Sequence, residues 1–191
     1  MNSQFELEIA KSIEILRKGG TLLYPTDTIW GIGCDATDAK AVEKIYRIKK
    51  RSESKSLIIL LASLEEIQNY VETFPEIARD LMSNVDKPLT IIYPKARNLA
   101  PNVIAPDGSI AIRIVRDDFC KKLITILGKP IVSTSANISG EPAPLVFRCV
   151  SPEISQQVDY VVGLYHDILH EVKPSRIIKL NENGEFNVIR P

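Results

Sequence analysis

The chain has 191 residues and equal numbers of basic and acidic side chains, 24 of each, which argues against a global positive field that would attract nucleic acid or anionic lipid. Apolar residues make up 45% and charged residues 25%, the balance of an ordinary soluble domain, and no apolar stretch is long enough for a signal-peptide core or a membrane span. Three cysteines without paired spacing and two histidines favour neither a disulfide framework nor a zinc site. We therefore expect one domain over residues 1–191, located in the cytoplasm.

The N-terminal part of the chain predicts a helix and then two short strands joined by a polar loop. Apolar residues at helical spacing from Phe5 to Leu16 predict the helix, which Gly19 would end. A β-prone run at residues 21–24 predicts a strand, and Pro-Thr-Asp-Thr at residues 25–28 has the composition of a turn. Trp30 follows among isoleucines and glycines, where a core position is favoured over a ligand contact.

Positive charge is concentrated after the next predicted helix. Asp38 can cap this helix, whose apolar face ends at Ile48. The basic cluster that follows consists of Arg47, Lys49, Lys50, Arg51 and Lys55. Cations at a helix C-terminus suit the helix dipole and are often only solvated, but in a chain of zero net charge they also create a local potential suited to a polyphosphate. Both interpretations stay open, and residues 57–61 predict the next strand.

The sequence of the middle of the chain predicts a helix, a surface segment and two strands, one of which carries an arginine. Residues 63–66, Ser-Leu-Glu-Glu, match a capping box and predict a helix, whereas the segment from Pro94 to Gly108 predicts a surface excursion because it contains three prolines. Residues 89–93 predict a strand, and strict alternation in residues 110–115 places Arg113 on the face opposite the isoleucines. Arg113 lies either on a solvated face or in a position to hold a planar anion such as a carboxylate.

A polar loop lies at the end of another short strand, between Gly128 and Gly140. Two apolar residues, Ile131 and Val132, lead directly into Ser-Thr-Ser-Ala-Asn at residues 133–137. Such small donors suit a phosphate or a carboxylate, although the same residues are common in ordinary turns. Further on, a strand at residues 160–162 and a hairpin around residues 181–184 are predicted, and neither His166 nor His170 is assigned a role.

Several motifs occur in a fixed order over nearly the whole chain. They are Pro-Thr-Asp-Thr-Ile-Trp-Gly-Ile-Gly at residues 25–33, Lys-Lys-Arg-Ser-Glu-Ser-Lys at 49–55, Arg113 on its strand, Ser-Thr-Ser-Ala-Asn at 133–137 before Ser-Gly, and Ile-Arg-Pro at 189–191. Together they resemble the YrdC-type threonylcarbamoyl-AMP synthases. The resemblance implies an α/β fold in which a twisted, open mixed sheet with flanking helices surrounds a concave basic cavity. Because the chain ends at Pro191, we expect the short, single-domain form.

The resemblance also implies an enzymatic activity. An L-threonylcarbamoyladenylate synthase is a nucleotidyltransferase that forms threonylcarbamoyl-AMP and pyrophosphate from L-threonine, bicarbonate and ATP. Magnesium would arrive on the ATP phosphates, so no metal site of the protein itself is implied. A partner transferase would then pass the threonylcarbamoyl group to an adenosine of tRNA.

The residues that match the family's motifs give a predicted site. The resemblance implies ATP contacts at Arg51, Lys55, Ser109, Ser135, Ala143 and Arg190. It implies threonine contacts at Thr28, Arg113, Ser133 and Ser175. Lys49 and Asn137 are motif members nearby, and with Arg51 they are the expected catalytic residues. The chain departs from the usual pattern at Trp30, where tyrosine is common, at Ser52 and Ser56, where prolines are common, and at Arg176, where threonine is common.

Two other functions stay open. One is a non-catalytic module of the same superfamily that binds double-stranded RNA or ribosomes through the basic cavity. The other is a divergent paralogue that uses a different acyl acceptor, which the departures from the motif would allow. An RNA-binding module is expected to present a wide basic face, so zero net charge with one basic cluster favours a small anionic ligand.

Overall fold

The computed structural model describes residues 3–51, 57–84, 87–166, 175–181 and 184–191, and these residues form a nine-stranded mixed sheet with flanking helices. The α-helices are α1 (Ser3–Arg17), α2 (Ala39–Ile48), α3 (Glu76–Ser83), α4 (Asp118–Leu127) and α5 (Pro152–Ser155). The strands are β1 (Leu22–Tyr24), β2 (Gly31–Gly33), β3 (Ile58–Leu61), β4 (Leu89–Tyr93), β5 (Ile110–Ile114), β6 (Ile131–Ser135), β7 (Tyr160–Val161), β8 (Arg176–Leu180) and β9 (Phe186–Arg190). The α/β fold class predicted from the sequence is confirmed.

The strand order is β7-β1-β2-β6-β3-β5-β4-β8-β9, which puts the strands of the two polar motifs next to each other. Strand β3 pairs with β5 in parallel and with β6 in antiparallel orientation, so Ile58 lies between Ala111 and Ser133. Residues directly opposite each other in neighbouring strands point to the same face of a sheet. Ala111, Ser133 and, two residues along β5, Arg113 therefore share one face.

Each face of the sheet has its own apolar cluster. On one face, alternate strand residues such as Ile59, Ile112 and Val132 pack with the apolar side of α2. On the other face, Leu60 and Ile131 pack beneath α1 and α4. This second face is also the face of Ala111, Arg113 and Ser133, because Leu60 and Ile58 are two residues apart on one strand. Helices α1 and α4 thus cover one part of a face whose polar part forms a cleft.

Local signals in the sequence account for many of the element boundaries. The Asp38 carboxylate accepts hydrogen bonds from the backbone N–H groups of the first turn of α2, and the Asp117 carboxylate accepts one from Cys120 N in α4. Gly128 ends α4 in the left-handed conformation, at φ 71°. Gly33 is required for a different reason, because a Cβ atom there would lie 1.9 Å from the Val132 carbonyl oxygen.

Two sequence-based predictions about the fold hold only in part. The helix predicted from the capping box is a 3₁₀ helix, Leu64–Asn69, and the Ser63 side chain forms no capping hydrogen bond. Its length is limited because Val71, soon after, forms a β-bridge with Ala96. The segment from Pro94 to Gly108 is more than a surface excursion, since Ala100 and Val103 are buried in the apolar cluster that contains α2. In the described part of the chain, no helix combines the length and apolar character needed to cross a bilayer.

Candidate substrate-binding cleft

A cleft of about 350 Å³ opens on the polar part of the sheet face. Its floor is formed by β3, β5 and β6, and its walls come from the loop after β1, the end of α2, the loop after β6 and the C-terminal hairpin. The polar residues that line it are Thr26, Thr28, Arg51, Arg113, Ser133, Thr134, Ser135, Ser175 and Arg190. Residues far apart in the sequence are therefore brought together around one space that contains three guanidinium groups.

Arg113 is buried at the floor of the cleft, with 5% of its surface exposed, so the solvated-face alternative is wrong. Its Nη2 atom lies 3.1 Å from Oδ1 of Asp27, and its Nη1 atom donates a hydrogen bond of 3.3 Å to Oγ1 of Thr28. Guanidinium has five N–H donors, and these two contacts occupy only part of them. Arg113 is thus held from one side while it still lines the cleft.

The loop between β1 and β2 fixes the direction of the Thr28 hydroxyl. The Thr26 hydroxyl donates its single proton to the Ile29 carbonyl oxygen at 2.8 Å. The Thr26 and Thr28 oxygens are 3.0 Å apart, so Thr28 must be the donor in that pair. Thr28 Oγ1 then presents lone pairs toward Arg113 and the cleft, which makes it an acceptor for a ligand N–H or O–H group.

Lys49 is buried, unlike Arg47 and Lys50 of the basic cluster, which are exposed. Its side chain is almost fully buried, at 1% exposure, and its ammonium donates hydrogen bonds to the carbonyl oxygens of Ser135 and Asn137. Burial and, to a smaller extent, the neighbouring charge of Arg51 together lower the pKa of Lys49 to about 8. Lys50, by contrast, is exposed and pairs with Glu153 at 2.5 Å.

The loop after β6 is held by its own polar contacts as well as by Lys49. The Asn137 amide donates to the carbonyl oxygens of Ile138 at 2.9 Å and Glu141 at 2.7 Å. Of the expected catalytic residues, Arg51 lines the cleft, whereas Lys49 and Asn137 stabilise the end of β6, where Ser135 lines the cleft, and the loop that follows it.

Ser175 and Arg190 form the wall contributed by the C-terminal hairpin. Arg190 donates two hydrogen bonds, of 2.9 and 2.7 Å, to the carbonyl oxygen of Ser175. The Ser175 hydroxyl is 2.8 Å from that of Thr90, which is fully buried on β4. Burial lowers the pKa of Arg190, and the charge of Arg113 lowers it further. Two guanidinium groups that disfavour each other in this way favour an anion in the cleft between them.

The other predicted site residues fall into three groups. Thr28, Arg113, Ser133 and Ser175 from the predicted threonine set, and Arg51, Ser135, Ala143 and Arg190 from the predicted ATP set, all line the cleft. Ser109 lies in an adjoining cavity of about 330 Å³ that shares Ile92 and Ala111 with the cleft, and its hydroxyl donates to the Asp107 carboxylate at 2.5 Å. Lys55 lies outside the described residues, as do Ser52, Ser56 and His170.

Two of the departures from the motif can be placed. Trp30 is fully buried and packs against Phe147 and His166, with ring centroids 5.1 and 5.3 Å away, so the predicted core position is confirmed. Arg176 is exposed at the start of β8 and borders a separate groove with Leu89 and Pro191. Neither of these side chains lines the cleft.

Sequence reasoning missed the groups that hold the cleft residues in place. Thr26 orients Thr28, Thr90 contacts Ser175, and Asp27 faces Arg113. Asp27 belongs to the Pro-Thr-Asp-Thr motif at residues 25–28, and this motif was the signal in the sequence that could have identified it. Across the described ranges of the chain, no group of three or more histidine, cysteine or acidic side chains is arranged to hold a metal ion.

The comparison with known protein families decides the family. A model of the Sua5, YciO and YrdC proteins, described as "Telomere recombination", matches residues 14–191. The chain belongs to the Sua5/YciO/YrdC family. Among its relatives, a threonylcarbamoyl-AMP synthase of Hahella chejuensis is 35% identical over 143 residues, which are 74% of this chain and 78% of that protein.

Solved structures of the Sua5/YciO/YrdC family have the same architecture. Escherichia coli YciO matches with a TM-score of 0.84 and 27% identity, over 99% of this chain and 90% of YciO. The P. abyssi Sua5 protein in complex with L-threonine matches with a TM-score of 0.82 and 29% identity, over 97% of this chain and 54% of Sua5. The chain thus spans about half the length of that Sua5 protein.

Proposed function

We propose that this protein is an L-threonylcarbamoyladenylate synthase, a nucleotidyltransferase that makes threonylcarbamoyl-AMP and pyrophosphate from L-threonine, bicarbonate and ATP. The observation that carries this proposal is the convergence of Arg51, Arg113 and Arg190 with three serine hydroxyls on one cleft. Two anions, a carboxylate and a polyphosphate, would repel each other in water and need such a set of cations to lie side by side. The names of the relatives support the same activity.

The end of the cleft around Arg113 suits an amino acid. A carboxylate accepts paired hydrogen bonds from a guanidinium, and Arg113 is held in place by Asp27 and Thr28 before any ligand arrives. The hydroxyls of Ser133 and Ser175 lie around the same space and would complete the contacts to L-threonine. The apolar side chains of Ile92 and Ile177 line it as well and would contact the threonine methyl group.

The end around Arg51 suits the nucleotide. Arg51, Ser135, Ala143 and Arg190 would contact ATP, with Ser109 in the adjoining cavity and Lys55 as further members of the set. Magnesium would be carried on the phosphates, because Mg²⁺ is commonly bound through substrate phosphates and retained waters. The small residues of the loop after β6 would let a phosphate approach the backbone closely.

The chemistry requires alignment more than it requires an enzyme nucleophile. The threonine amine and bicarbonate give a carbamate and water. A carbamate oxygen then attacks the α-phosphorus of ATP, the bond from that phosphorus to the bridging oxygen breaks, and pyrophosphate leaves. Arg51 and Arg190 would neutralise the charge that develops on the leaving group, while Arg113, by holding the threonine carboxylate, would keep the carbamate oxygen in line. Lys49 and Asn137 would act through the loop that they stabilise.

The product of this reaction is a mixed anhydride that must be consumed by an acyl transfer. We propose that a partner transferase moves the threonylcarbamoyl group to an adenosine of tRNA, and tRNA or another RNA duplex is a candidate direct ligand of this chain. The cysteines Cys34, Cys120 and Cys149 are free thiols, which supports a reducing compartment such as the cytoplasm.

The deciding experiment is pyrophosphate release from ATP with Mg²⁺, measured with and without L-threonine and bicarbonate. Release that requires both is the expected result. Arg113→Ala should abolish threonine-dependent release, whereas Arg47→Ala, which removes an exposed cation paired with Glu43, should leave it unchanged. No release in the wild type, together with tight binding of an RNA duplex at physiological salt, would favour the non-catalytic RNA-binding module instead.

A further inference from the structure

Asp27 and Arg113 form a buried ion pair directly behind the cleft. Their side chains are 8% and 6% exposed, and the closest atoms are 3.1 Å apart. Both carboxylate oxygens of Asp27 and the Nε atom of Arg113 are buried and lack a hydrogen-bond partner in the described structure. Such a pair is costly to bury, so it is a candidate for a function other than stability.

Asp27 does not itself line the cleft. Its neighbours Thr26 and Thr28 do, and so does Arg113. A ligand in the cleft would therefore meet the guanidinium of Arg113 and feel the Asp27 charge through it and through the low-dielectric surroundings. Burial is the largest cause of the raised pKa of Asp117, the Asp27 charge raises it further and the Arg113 charge lowers it, so Asp117 also lies within electrostatic reach of this pair.

This arrangement affects ligands differently according to their net charge. An unpaired guanidinium attracts any small anion, and Arg51 and Arg190 on the same cleft would add to that attraction. A buried carboxylate behind Arg113 repels a dianion twice as strongly as a monoanion. A zwitterionic amino acid has no net charge, so it loses little to this repulsion and still gains the oriented guanidinium.

We propose that Asp27 is a specificity-determining residue that acts through Arg113 to make the cleft select a zwitterionic amino acid over simple anions. The proposal rests on the proposed function in one respect, namely that the natural amino acid is L-threonine. Asp27 is a positioning residue in this role, because its carboxylate orients and partly neutralises the group that contacts the ligand.

The test is a pair of nuclear magnetic resonance titrations of the ¹⁵N-labelled full chain, one with L-threonine and one with malonate. Asp27→Asn removes the charge and keeps the shape. We expect its malonate affinity to rise and its threonine affinity to fall, so that the ratio of threonine to malonate affinity drops by about tenfold or more. Asp118→Asn, an exposed carboxylate at the start of α4, makes the same change of net charge and should leave the ratio unchanged.

The same substitution in a protein that lacks Arg113 tests whether Asp27 acts on ligand selectivity through Arg113. In Arg113→Gln protein, Asp27→Asn should change the ratio by less than about twofold, because the group through which Asp27 acts is missing. If Asp27 has a merely structural role, Asp27→Asn should lower the affinities for threonine and malonate by the same factor, in the wild-type protein and in Arg113→Gln alike. An unchanged ratio after Asp27→Asn, or an equal drop after Asp118→Asn, would overturn the proposal.

Failure of folding and failure of the proposed function can both be recognised. If Asp27→Asn does not fold, Asp27→Glu retains the carboxylate and should keep the malonate affinity within about twofold of wild type; a clear increase would contradict the proposal. If the wild type binds no threonine, the proposed function fails. A malonate affinity that still rises only in Asp27→Asn would then support the role of Asp27, and an unchanged affinity would overturn it.

Discussion

Lys49 and Asn137 are 88 positions apart, yet the Lys49 ammonium donates a 2.8 Å hydrogen bond to the Asn137 carbonyl oxygen. A second bond goes to the carbonyl oxygen of Ser135, and Ser139 N donates to the Lys49 carbonyl oxygen at 2.9 Å. The C-terminal end of α2 is therefore fastened to the loop after β6 by both the backbone and the side chain of one residue. Because Arg51 lies two residues after Lys49 and Ser135 is the last residue of β6, this connection sets the distance between two predicted ATP contacts.

Replacement of Lys49 by Met should destabilise the protein and weaken ATP binding. Two buried carbonyl oxygens would lose a charge-assisted partner, at an expected cost of about 1 to 3 kcal/mol in the free energy of unfolding. Urea denaturation measures this cost. Lys50→Met is the matched control, because Lys50 is exposed and its pair with Glu153 lies at the surface, where such pairs contribute little. Equal losses in the two variants would contradict the role of Lys49.

The pKa of Lys49 gives this prediction a pH dependence. Because burial lowers the pKa of Lys49 to about 8 from 10.5, the unfolded chain binds more protons than the folded one between these values. The free energy of unfolding of the wild type should therefore rise relative to that of Lys49→Met as pH increases from about 8 to 10.5. The penalty for charging the buried amine is fully present below pH 8. A constant difference across this pH range would show that Lys49 titrates normally.

Arg51→Ala should weaken ATP binding by roughly 1.5 to 3 kcal/mol, the range of a lost charge-assisted contact. Isothermal titration calorimetry with Mg²⁺ and ATP measures the dissociation constant. Arg47→Ala, on the exposed side of the same helix end, carries the same change of charge and should have little effect. An unchanged dissociation constant for ATP in Arg51→Ala would mean that the basic cluster is only the solvated end of a helix.

The basic cluster shows which features could be predicted from the sequence and which could not. Apolar runs and alternation predicted the central strands, and the capping residue Asp38 predicted the start of α2, because these signals act between near neighbours. Adjacent lysines at a helix end look alike in sequence, and only the position of residues 135–137 makes Lys49 buried and Lys50 exposed. In the same way, alternation predicted the face of Arg113, but the carboxylate that pairs with its buried guanidinium belongs to Asp27, 86 positions away in the sequence.

Thr90→Val should reduce threonine affinity by about 1 kcal/mol while leaving ATP binding nearly unchanged. Thr90 is fully buried, and its hydroxyl is 2.8 Å from the Ser175 hydroxyl, so valine keeps the shape and removes the hydrogen bond that orients Ser175. Thr90→Ser keeps the hydroxyl and is the control. Equal threonine affinity in the valine and serine variants would mean that the Thr90 hydroxyl does not orient Ser175 for threonine binding.

The final prediction concerns the contact between Arg113 and the substrate carboxylate. Arg113→Lys keeps the positive charge but loses the planar pair of donors, so threonine affinity should fall by roughly 1.5 to 3 kcal/mol while ATP affinity stays nearly the same. L-threoninol lacks the carboxylate and should bind the wild type weakly and be almost indifferent to the substitution. Two proteins and two ligands make a double-mutant cycle whose coupling energy, read by calorimetry, reports the pair alone. A coupling energy near zero would mean that Arg113 serves only its ion pair with Asp27, and the threonine carboxylate would then have to be held by Thr28, Ser133 and Ser175.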